Sequence, residues 1–95
     1  MAAPALNSVA VPSYSDALAV SQALQPEEAV FCFSAAALKA RLKLFLDGFP
    51  GTVSFAVKSN PSKGVASALA EGGLHHWDVA SVHEMALVRS AARDA

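Results

Sequence analysis

Apolar residues fall into two patterns along this chain, short continuous runs and stripes at helical spacing. Ala29-Val30-Phe31-Cys32-Phe33 is a continuous run and reads as a buried strand. Ser34 follows as a helix cap. Leu38, Leu42, Phe45 and Leu46 then recur on one helical face, with Lys39, Arg41 and Lys43 mostly outside it. Gly48 and Pro50 stop that helix. Thr52 to Val57 is a second run, without strict polar alternation, which suits a parallel strand covered on both faces. Asn60 or Ser62 can cap the next helix, and Pro61 suits its first turn. That helix runs to about Glu71, where Gly72-Gly73 ends it. Trp77 to Ala80 is the next strand. Ser81 opens a last helix, apolar at Val82, Met85, Ala86, Leu87 and Val88.

The order strand, helix, strand, helix predicts a parallel α/β sheet or barrel. Ahead of it, residues 1–28 read as a leader with at most a short helix. Tyr14 to Leu24 can form that helix, with Ser13 or Ser15 as cap and Pro26 marking its end.

Composition narrows the functions open to such a chain. Its 95 residues allow one small domain at most, and 54% hydrophobic content excludes disorder by composition. Net charge is −1, with no basic stripe and no aromatic-plus-arginine platform, so nucleic acid is not an expected partner. No run of about 18 apolar residues predicts a membrane span. The first fifteen residues lack the basic start and unbroken apolar stretch of a secretory signal. One cysteine, Cys32, excludes an internal disulfide and fits a reducing cytoplasm; inside its apolar run it reads as core.

Lys58 is the residue that carries most chemistry. It stands where the Val53–Val57 run stops and the polar turn Ser59-Asn60-Pro61 begins. A lysine there is placed to face a pocket and can form a Schiff base with a carbonyl cofactor. Asp78 lies within the next strand and Glu84 just past it. In a parallel α/β structure neighbouring strands end side by side, and that rim is where catalytic groups gather in barrels. A carboxylate beside an amine keeps it charged, while attack on a carbonyl needs the neutral form.

Phe55-Ala56-Val57-Lys58-Ser59-Asn60-Pro61 resembles the cofactor-lysine motif of the fold-type III pyridoxal-phosphate decarboxylases, the ornithine, diaminopimelate and arginine decarboxylase family. Trp77-Asp78-Val79-Ala80-Ser81, with Glu84 three residues on, is similar to that family's second motif, and the separation of the two fits. The resemblance covers roughly Ala29 to Ala95. It implies the first two βα units of an alanine-racemase-like (β/α)8 barrel over residues 29–95. It also implies pyridoxal 5′-phosphate as cofactor, Lys58 as the Schiff-base lysine, and Asp78 and Glu84 as residues that orient or charge-balance Lys58 and the cofactor. The implied parent is a cytoplasmic homodimeric lyase of polyamine biosynthesis type, acting on a small-molecule substrate, ornithine, lysine or a related basic amino acid. The family's phosphate-binding glycines, its cofactor-nitrogen carboxylate and its C-terminal β-domain have no counterpart in these residues. The chain therefore reads as an N-terminal part, expected to be marginally folded and without turnover by itself.

Blander readings compete at each position. Lys58 could be a solvated charge, and Asp78 could accept backbone hydrogen bonds at a strand end. Ser81-Val82-His83-Glu84 is a capping-box pattern, which would occupy Glu84. His75-His76 is a poor metal pair, because adjacent strand residues point to opposite faces. Trp77 and the phenylalanines read as core. An alanine racemase fits less well, since Ala-Tyr-Gly-His does not follow the lysine. A pyridoxal-phosphate homeostasis protein would lack the Asp78 motif, and a non-catalytic decarboxylase relative can lose cofactor residues that stand here.

Overall fold

In the computed structural model, residues 12–92 are described. The chain divides into two compact units, Met1–Cys32 and Phe33–Ala95. Among its described residues the first holds one short helix, α1 (Ala17–Leu24), all of whose residues are exposed or half-buried. Its cap is Asp16, whose Oδ1 accepts from the Ala19 N–H at 2.8 Å, rather than Ser13 or Ser15. A carboxylate at the cap also meets the positive end of the helix. Gln25 closes the helix in the left-handed region at φ 45°, one residue before Pro26.

The second unit has the order α2 (Ala35–Gly48), β1 (Ser54–Ala56), a 3₁₀ turn (Val57–Ser59), α3 (Lys63–Glu71), β2 (His76–Asp78) and α4 (Val82–Ala91). Three of the predicted helices lie where their caps put them. Ser34 Oγ accepts from the Ala37 N–H at 3.1 Å, Ser62 Oγ from Val65 at 3.4 Å and Ser81 Oγ from Glu84 at 3.1 Å. Ser62, and not Asn60, is therefore the cap of α3. Gly73, at φ 104°, makes the reversal after α3 in a conformation that costs a side-chain-bearing residue. β1 and β2 pair in parallel, Ser54 opposite His76, Phe55 opposite Trp77 and Ala56 opposite Asp78. A parallel pair needs a crossover, and α3 is that crossover.

α3 is the centre of the packing, in contact with both α2 and α4. Its buried residues are Val65, Ala66, Ala68 and Leu69. Val65 and Leu69 join Leu42 and Leu74 in one buried cluster, against which Leu38, Val53, Phe55 and Trp77 pack. Val57, Val88 and Ala92 form a second cluster, also flanked by Phe55 and Trp77. Lys39 and Glu71 add an ion pair of 2.8 Å between α2 and α3. A second pair, Lys43–Asp47, spans one turn of α2 at 2.9 Å. Its hydrogen bond and charge raise the Lys43 amine above its usual range, but full exposure leaves such a pair little weight in stability.

Four expectations are corrected. Ala29–Phe33 forms no strand: those residues are exposed, Phe31 at 98% and Cys32 included, so Cys32 is not core. A strand exists by pairing, and no described strand pairs with this run. The Thr52–Val57 strand is shorter than its apolar run, because Val57 turns into the 3₁₀ segment. The sheet is not covered on both faces. Phe55 and Trp77 pack inward, while Ser54, His76 and Asp78 are exposed. Most phenylalanines are exposed too: Phe31, Phe33, Phe45 and Phe49 are open, and only Phe55 is half-buried.

Candidate functional site

Lys58 sits in the middle of the 3₁₀ turn that leaves the C-terminal end of β1. Two neighbours fix the backbone there. Val57 is 1% exposed, held by Val88 and Ala92. On the other side the Ser59 hydroxyl donates to the Ala56 carbonyl at 2.8 Å, and the Asn60 N–H donates to the Val57 carbonyl at 3.0 Å. With Val57 turned inward and the turn closed by these bonds, Lys58 is exposed. The fold thus presents an exposed amine from a hydrogen-bonded turn at the end of a strand.

Asp78 closes β2 and is exposed. The register sets it opposite Ala56, two residues before Lys58, so both lie at the same rim of the sheet. The next residue, Val79, packs on the cluster that also holds Val57. One buried cluster therefore anchors the chain next to both polar residues.

Glu84 is half-buried in the first turn of α4. Its N–H donates to Ser81 Oγ, and its Oε1 accepts from the Ala80 N–H at 2.9 Å. This is the reciprocal cap expected from Ser81…Glu84, shifted so that the carboxylate reaches the residue before the cap. Glu84 so clamps the loop that carries the chain from Asp78 into α4.

The rim is open surface. One recess of about 230 Å³ is apolar and lies among Leu38, Leu42, Phe45, Val53, Phe55 and Leu74. Another, of about 340 Å³, runs beside β2 and is lined by His75, His76, Trp77, Met85 and Arg89. Neither includes Lys58 or Asp78. Two strands cannot enclose a space over their own free face. Trp77 Nε1 is buried without a hydrogen-bond partner, an orphan donor at the half-buried edge of the core. No three metal-ligating side chains cluster among the described residues, and no described helix is long and apolar enough to cross a membrane.

These residues suit an aldehyde cofactor. Such a group needs a primary amine free to attack, and Lys58 makes no ion pair among the described residues. It needs room beside that amine, and the adjoining sheet face carries only Ser54 and Ala56 on β1.

The profile of the family described as pyridoxal-dependent decarboxylase, pyridoxal binding domain, matches residues 35–95. The chain belongs to that family. The matched stretch starts at the first residue of α2 and takes in Lys58, Asp78 and Glu84, and the domain's cofactor is accordingly pyridoxal phosphate. No curated protein and no solved structure matches the chain.

Proposed function

We propose that this domain serves an amino-acid decarboxylase and that Lys58 is the residue to which pyridoxal phosphate attaches. The observation behind this reading is the exposed Lys58 amine at the C-terminal end of β1, on the rim it shares with Asp78. The bound cofactor supplies an electron sink for the bond broken in decarboxylation. The protein's own part is positional. Val57 and the Ser59 hydroxyl fix the turn, so that the Lys58 Nζ is presented from a rigid base. Asp78, at the same rim, would orient or charge-balance Lys58 and the cofactor. Glu84 holds the β2–α4 loop through the Ala80 N–H and keeps Asp78 at the rim; this loop role supports its assignment to the cofactor site through Asp78.

The substrate class proposed is a basic amino acid such as ornithine or lysine, on the likeness of Trp77–Ser81 to the second family motif. The parallel unit is read as the first part of a (β/α)8 barrel in a cytoplasmic, homodimeric enzyme, whose further strands would cover the open sheet face.

Borohydride reduction of the protein with pyridoxal phosphate, followed by peptide mass spectrometry, tests the central assignment. The cofactor is expected on Lys58, with its labelling lost in Lys58→Ala. Label on Lys63 instead, or labelling that survives Lys58→Ala, overturns it.

A further inference from the structure

Gly64 is the second residue of α3, and its backbone does not require glycine. Among the described residues Gly73 is the glycine at positive φ, so other residues can adopt the Gly64 conformation. Glycine is a poor helix former, and alanine would hold this turn better. What excludes a side chain is space. A β-carbon on Gly64 would stand 3.1 Å from Phe33 Cζ and 3.2 Å from Phe33 Cε1, closer than the roughly 3.5 Å at which apolar carbons pack. Phe33 is 49% exposed, so a half-open ring is seated on bare helix backbone.

The contact keeps register with the packing of α2 on α3. Phe33 stands just before Ser34, the cap of α2, and meets the first turn of α3. Lys39, further along α2, meets Glu71 at the end of α3. An aromatic ring thus ties α3 at its start and an ion pair ties it at its finish. The start is the end that bears on Lys58. Two tight backbone bonds join the Lys58 turn to it: the Asn60 N–H donates to the Val57 carbonyl at 3.0 Å, and the Ser62 N–H to the Asn60 carbonyl at 2.8 Å. Ser62 then caps α3 through the Val65 N–H.

We propose that Phe33 is a latch for the Lys58 turn, with Gly64 as its seat. The ring presses on the first turn of α3 and keeps Ser62 in place. Ser62 holds Asn60, and Asn60 closes the 3₁₀ turn that carries Lys58. Withdrawal of the ring frees the start of α3 and loosens that turn, so a change at the entry to α2 reaches Lys58 through the backbone. The latch acts on the turn whatever Lys58 carries.

A double-mutant cycle on the full chain tests the seat. In a Phe33→Ala background, where helix propensity alone counts, Gly64→Ala should raise the urea midpoint. In the parent the same change should bring none of that rise, because the new methyl displaces the ring. A rise of the same size in both backgrounds overturns the seat. Amide hydrogen exchange tests the latch. In Phe33→Ala the Asn60 and Ser62 N–H groups should exchange about fivefold faster, while Ala92, bonded to the Val88 carbonyl at the end of α4, keeps its rate. If Phe33→Ala unfolds the unit, Ala92 speeds up with the others; Phe33→Leu, which keeps an apolar cover without the flat ring, should then speed Asn60 and Ser62 alone. Exchange at Ser62 that stays at the parent rate without the ring overturns the proposal.

Discussion

Ala29–Phe33 and Val53–Val57 are near twins as sequence and opposites as structure. Each is a five-residue run of apolar and small residues. A serine-capped helix follows each one, directly after the first run and five residues after the second. The first is exposed and forms no strand, with Phe31 98% open. The second supplies β1 and a valine that is 1% open. The difference lies in partners. Val53, Phe55 and Val57 find Leu69, Leu74, Trp77 and Val88 around them, and Ser54–Ala56 finds a ladder with His76–Asp78. An apolar run states only that a segment gains by being covered; whether it is covered depends on what the rest of the chain brings.

Mutations should separate the two runs by size of effect. Leu69→Ala removes a residue at the heart of the cluster that covers β1, and should cost about 2–5 kcal/mol. Urea denaturation followed by circular dichroism would read this as a large fall in midpoint or as loss of the transition. A Leu69→Ala chain as stable as the parent would mean that α3 does not organise the unit. Ser81→Ala should cost about 1 kcal/mol, since it removes the α4 cap next to the Glu84 clamp. Its effect should exceed that of Ser34→Ala, where no carboxylate reciprocates the cap. Phe31→Ser should change stability by less than about 0.5 kcal/mol, as for exposed positions in general. A cost of several kcal/mol at Phe31 would show that the first run is covered in solution and that the contrast with the second is false.

The positions of the candidate residues were legible in the sequence for a reason specific to local structure. Lys58 follows from a run ending at a polar turn and Asp78 from its place within the next run, although the strand ends at Asp78 rather than at Ala80. Glu84 follows from its spacing of three from Ser81, which the structure realises as a clamp on Ala80. These are short-range relations, set by capping and turn chemistry.

By itself the sequence determined the three helices of the second unit, their serine caps, the glycine reversal after α3, and the order that makes the two strands parallel. Backbone hydrogen-bond needs at helix ends and the steric freedom of glycine act within a few residues, so the sequence carries them. Only the tertiary structure decided which apolar run becomes a strand, which face of the sheet is covered, and that Lys58 and Asp78 stand open at one rim. Those outcomes depend on partners distant in sequence: burial and ladder pairing are properties of two surfaces, and a single segment encodes only its own.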